Sequence, residues 1–225
     1  MRLVPLSVLV VLALASAASA SPTLTDAGEI GRVELAFTCP SVQMPLGDLN
    51  RAANLGLGID GSLGVRVTPW LQLGVETGGG WYFPPQLSEY WDALSHGAPI
   101  EVSRVVRRTG GWVRFLIPQS SKDDPEGTQG FFVMAGAGRY EMKLDMGAGG
   151  VSLIDESKSG FGYSLGGGLY VMFPVQQVVQ GLGIHLSFKV HHMELDEPNN
   201  LYFEKSASEA TFAELAMALT CYFGK

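Results

Sequence analysis

Four groups of residues in this chain carry side chains capable of chemistry. His185-Leu186-Ser187, with Glu194 seven residues beyond Ser187, supplies a base, a hydroxyl and an acid. A hydroxyl beside an imidazole that a carboxylate orients is the general requirement for acyl transfer. His191-His192, close to Glu194 and Asp196, offers metal-ligand types. Neighbouring residues on a strand point to opposite faces, however, so that pair reads as a solvated rim and no metal is assigned. Asp123-Asp124-Pro125-Glu126-Gly127 lacks the ligand spacing of a calcium loop and reads as a turn. Cys39 and Cys221 are the two cysteines, too few for a disulfide framework or an all-cysteine zinc site. The charged residues form a sparse, mixed set.

What these residues can do depends on the elements that hold them. The chain has 225 residues, 46% hydrophobic and only 16% charged, with 29 Gly and a net charge of −7. So many apolar residues exclude disorder, and the acidic balance argues against nucleic acid as a partner. Residues 1–20 read as a secretory signal peptide: Arg2, an apolar run over Leu3–Ala15, and a small-residue cleavage site at Ala18-Ser19-Ala20. Residues 21–225 then form a single domain, exported from the cytoplasm. No later stretch approaches 18 consecutive apolar residues, so any membrane crossing must use a closed barrel.

Period two dominates the remainder. Over residues 54–67 the odd positions are Leu55, Leu57, Ile59, Gly61, Leu63, Val65 and Val67, and the even ones are polar or glycine. That pattern is a strand. The same reading gives eight strands, at about 31–44, 54–67, 70–83, 101–117, 130–145, 159–173, 182–195 and 211–223. The fourth breaks strict alternation around Val106-Arg107-Arg108 and is a candidate for a bulge. Connections after strands two, four and six are turn-like. Those after strands three, five and seven (84–100, 146–158 and 196–210) read as longer loops. Turns on one rim and loops on the other, with both termini on the turn side, describe an eight-stranded antiparallel up-and-down transmembrane β-barrel.

A soluble, lipocalin-like barrel would show the same alternation with its apolar face inward. The glycine-rich polar face decides against it, because small residues with a few opposed charges suit the cramped lumen of eight strands. Aromatic residues also gather at strand ends, with Trp70, Phe131, Phe132, Phe173, Tyr222 and Phe223 toward the turns and Trp81, Tyr82 and Phe83 toward the loops. Two such girdles flank the apolar band of a membrane barrel.

Several segments resemble the outer-membrane β-barrels of the OmpA/OmpX/OmpW type across the region after residue 20. They are Gly47-Asp48-Leu49-Asn50, the run Leu57 to Glu76, Gly166-Gly167-Gly168-Leu169-Tyr170 and the final amphipathic strand. The resemblance implies residence in the bacterial outer membrane among its lipids and lipopolysaccharide. It also implies insertion by the barrel-assembly machinery, and for the OmpW branch a small apolar solute leaving sideways. Members end on an aromatic residue; here Phe223 precedes Gly224-Lys225.

Within such a barrel, parity assigns Asp60, Glu76, Glu141 and Glu214 to the lumen, against Arg66, Arg108, Arg114, Arg139, Lys143 and Lys189. Buried charges persist when paired, so this set reads as an ion-paired plug. A gated path is the competing reading. Lipid A deacylases are small barrels that use Ser, His and an acid, and His185, Ser187 and Glu194 are the residues to compare. Both His185 and Ser187 should point into the lumen, away from lipid, and Phe188-Lys189 stands where those enzymes have Asn-Ala. Catalysis is therefore not assigned, nor is any cofactor. Barrel closure makes the first and last strands neighbours, with Cys39 and Cys221 both at odd positions toward the turn rim. They form either a seam disulfide or two free thiols facing lipid. The loops gather acids (Asp48, Glu89, Asp92, Asp155, Glu156, Asp196, Glu197, Glu204, Glu209) that read as solvated.

Overall fold

The computed structural model describes residues 33–47, 54–83, 100–119, 128–175, 179, 181–199 and 207–224, and strands are the only regular elements among them. The segment read as a signal peptide, the 123–127 turn and four of the acidic loop residues (Asp48, Glu89, Asp92 and Glu204) lie outside the described residues. β1 (Val33–Leu46), β2 (Gly56–Thr68), β3 (Leu71–Tyr82), β4 (Ile100–Pro118), β5 (Gln129–Ala148), β6 (Val151–Pro174), β7 (Gly181–Asn199) and β8 (Ala207–Phe223) run in sequence order. Each pairs antiparallel with the next, and β8 closes on β1.

Closure is staggered. From Leu35 the pairs lead through Leu63, Val75, Gly111, Ala137, Tyr163, His192 and Thr211 back to β1, at Leu46. The return lies eleven residues further along, or ten once the bulge at Cys39-Pro40 is discounted. Such a shear tilts the strands against the barrel axis and leaves an interior that side chains can fill.

Most leucines and valines of the strands face out. Leu35, Phe37, Leu57, Ile59, Phe115, Val133, Leu165, Leu169, Leu186, Leu215 and Leu219 are all exposed, while Glu34, Asp60, Arg108, Arg114, Lys189 and Glu214 are buried. The inverse, soluble arrangement is thereby excluded. On β7 the outward apolar band runs from Leu182 to Val190, nine residues, matching the roughly 9–11 that a tilted strand needs to cross a bilayer. At the turn rim Trp70 stacks on Phe115 at 6.0 Å, with Phe131 and Phe173 exposed beside them.

Three features depart from the sequence reading. First, β5 and β6 do not enclose a long loop at 146–158. They continue to a two-residue turn at Gly149-Gly150, whose φ values of 58° and 81° suit the left-handed backbone of a tight hairpin. Second, the irregularity lies on β1 rather than β4, which pairs without interruption on both sides. The one extra residue at the Cys39-Pro40 bulge reverses parity, so even residues Glu34 and Ala36 face in below it and odd residues Ser41 and Gln43 above it. Third, the wet and dry faces exchange roles at the loop end of β5 and β7. There the outward residues turn polar and the inward ones apolar: on β5, Arg139, Glu141, Lys143 and Asp145 face out while Tyr140, Met142, Leu144 and Met146 face in. Period two continues through the change; only the surroundings differ.

Candidate functional site

The lumen is filled in three layers. At its middle lies Arg108, inward on β4, with a side chain 3% exposed. Its guanidinium reaches Asp60 on β2 at 2.7 Å, Glu214 on β8 at 2.6 Å and Glu76 on β3 at 3.7 Å. Lys189 on β7 completes the group, 3.3 Å from Glu214 and 3.4 Å from Glu76. Two cations thus answer three carboxylates in a space where Glu214 is wholly hidden from solvent. Gln43 donates to Glu214 at 3.2 Å. A paired, hydrogen-bonded cluster is the form in which buried charge is tolerable.

His191 borders this layer. Its Nε2 lies 3.4 Å from the Arg108 guanidinium, which can only donate, so Nε2 accepts and the ring proton sits on Nδ1, 3.0 Å from the Tyr140 hydroxyl. The ring stacks on Phe212 at 4.6 Å. Phe212 belongs to an apolar layer above, with Tyr82, Val106, Met142, Met193 and Leu195. That layer closes the loop side.

Toward the turns a second ion pair stands among aromatics. Arg114 donates to both Glu34 oxygens, at 2.8 and 3.1 Å, and to Gln72 at 3.1 Å. Its guanidinium lies over Trp112 at 4.5 Å and Phe132 at 4.9 Å, the geometry of cation–π attraction. Leu116, Phe132, Met134, Tyr170, Met172 and Tyr222 fill the remaining space. Trp112 fits because β2 and β3 present glycine to it: a Cβ at Gly64 or Gly74 would overlap its ring. Gly78 and Gly80 yield space in the same way to Asp60 and Gln43.

Of the ten residues that parity assigns to the lumen, Asp60, Glu76, Arg108, Lys189 and Glu214 meet in the central layer and Arg114 anchors the lower one. Arg66 is half-buried at the turn side, against the Met172 sulfur at 3.6 Å. Arg139, Glu141 and Lys143 are not lumenal. They lie on the outer wall, where Arg139 donates to Ser159, Glu141 accepts from Ser157, and Lys143 pairs with Asp155 at 3.0 Å. Their misplacement follows from the exchange of faces described above. Sequence reading also passed over Glu34, Gln43, Gln72 and Tyr140, and it placed His191 on a solvated rim where the structure buries it; the strict alternation of Glu34 with Leu35 and Phe37 was a usable signal for the first.

Neither small constellation assembles. His185 is buried and bonds the Tyr222 hydroxyl at 2.8 Å, inside a cage of Phe132 and Tyr170. Ser187 shares its face, but Glu194 is exposed on the opposite one. His191 is buried while His192 points outward to Thr211, and no three metal-ligand side chains converge among the described residues. The seam disulfide is corrected: both cysteines are free. Cys221 pairs with Leu35, whereas Cys39 sits in the mid-strand bulge, several residues up from the turn rim.

Solved structures share this architecture. Neisserial surface protein A superposes with a TM-score of 0.52 at 12% identity, covering 85% of this chain and 97% of its own. The chain has the fold of the eight-stranded outer-membrane barrels. Ail, the attachment invasion locus protein of Yersinia pestis, aligns at 11% identity over 86% of this barrel and 99% of its own chain, with a TM-score of 0.49. The N-terminal barrel domain of Pseudomonas aeruginosa OprF gives 12%, 84%, 98% and 0.41. No protein-family model matches the barrel, and no curated protein does.

Proposed function

We propose that this protein is a closed, non-conducting structural barrel of the bacterial outer membrane, exported by the signal peptide and inserted by the assembly machinery, with its loop side outward. The observation that carries the reading is the Arg108 cluster, tied to β2, β3 and β8, with an apolar layer on its loop side and aromatics around the Arg114–Glu34 pair on its turn side. An ion-paired centre joins strands that are distant in sequence and leaves no continuous wet path. Enzymatic acyl transfer lacks support, since the acid of the trio lies across the wall from His185 and Ser187.

Planar-bilayer recording of the refolded full chain tests this. A silent membrane is the expected result; steady open-channel steps from the wild type would transfer the assignment to small-solute passage. Lipid A from cells carrying Ser187→Ala, compared by mass spectrometry with wild type, should be unaltered.

A further inference from the structure

We infer that Arg107 and Arg139 form a headgroup site on the outer wall, holding the phosphate of a phosphorylated glycolipid in the surrounding leaflet. The inference rests on the membrane-barrel reading above. Arg107 is the first outward charge above the apolar part of β4, following Phe115, Val113, Gly111 and Thr109. Arg139 holds the same place on β5, following Val133, Ala135 and Ala137. The two strands are adjacent, with Arg107 opposite Glu141 and Arg139 one same-face step below it. That makes the arginines diagonal neighbours, about 7–8 Å apart at the backbone, a span that one phosphate bridges.

Neither guanidinium is consumed by the protein. Arg139 donates one N–H to Ser159 at 2.8 Å, which fixes its direction and leaves the other donors free. No carboxylate lies within ion-pair distance of Arg107 among the described residues, and Glu141 instead accepts from Ser157 at 2.8 Å. Below the pair the wall is low, being made of Gly111, Thr109, Ala135 and Ala137, and it is bordered by the exposed Phe161, Tyr163 and Leu165. An acyl chain lying in that trough ends at the two arginines. Planar guanidinium groups suit phosphate by paired, charge-assisted hydrogen bonds. Because the leaflet supplies phosphates at this height and the trough continues the lipid-facing band, the occupant is a membrane lipid.

Native mass spectrometry of the full-length barrel in neutral detergent, titrated with diphosphoryl lipid A, reads the site. R107A/R139A should weaken the apparent Kd about tenfold or more. E141Q, which removes the neighbouring negative charge, should tighten it, and R107K/R139K should retain part of the affinity. Dephosphorylated lipid A should bind the wild type no better than diphosphoryl lipid A binds R107A/R139A. Equal affinity of wild type and R107A/R139A, or indifference to the phosphates, overturns the inference. Heat-modifiable gel migration of every sample reports the barrel independently. A wild type that inserts into vesicles but ignores phosphate refutes only this site, whereas one that never inserts refutes the membrane reading.

Discussion

Substituting Arg108 by alanine should be the most damaging single change in the lumen. In the wild type Arg108 and Lys189 face Asp60, Glu76 and Glu214, two positive charges against three negative. R108A leaves three carboxylates around one ammonium, with Asp60 deprived of its 2.7 Å partner and Glu214 of its 2.6 Å one. Breaking a buried pair from one side costs about 3–5 kcal/mol, mostly the burden of the uncompensated charge left behind. Adding Asp60→Asn restores the wild-type excess of one negative charge, so R108A/D60N should recover part of that loss despite losing a second polar group. The assay is urea unfolding of protein inserted in phosphatidylcholine vesicles, followed by tryptophan fluorescence. Lys143→Ala, at an exposed pair on the outer wall, is the control and should leave the midpoint nearly unchanged. The reasoning fails if R108A unfolds within about 1 kcal/mol of wild type, or if R108A/D60N is less stable than R108A.

Glycine substitutions should divide by face. Gly74→Ala pushes a Cβ into the Trp112 ring and should cost about 1–3 kcal/mol by overpacking, while Gly61→Ala, with nothing near its outward Cβ, should be neutral or stabilising in the same unfolding assay. Cys39 and Cys221, free and lying on the outward face, should each label with an apolar maleimide without prior reductant. C39S/C221S should then leave heat-modifiable migration unaltered; a mobility change on reduction of the wild type would refute the assignment of free thiols.

Fold and face were readable because hydrocarbon leaves a strong imprint: over residues 54–67 every odd position is apolar or glycine, and nothing else in the chain explains that regularity. The central cluster was readable for the same reason, since Asp60, Glu76, Arg108, Lys189 and Glu214 are charges set into otherwise greasy or glycine-rich strands. Arg139, Glu141 and Lys143 were misassigned because the rule that polar means inward holds only where lipid is outside. Past Ala137 the medium is no longer hydrocarbon, and the same alternation acquires the opposite meaning. Gln43 and Ser41 escaped because a bulge of one extra residue at Cys39-Pro40 reverses parity, and no local hydrophobic pattern announces it. The Gly149-Gly150 hairpin was hidden by polar residues on both arms, which resemble a loop until the phase change is recognised.

The unequal strands give this molecule a lopsided crown. β3 has 12 residues, whereas β5 and β6 have 20 and 24. From Arg139 to the tip at Gly149, a tilted ladder climbs about 20 Å beyond the lipid boundary. Among the described residues, a stiff, hydrogen-bonded spur on one flank therefore stands farthest from the apolar band.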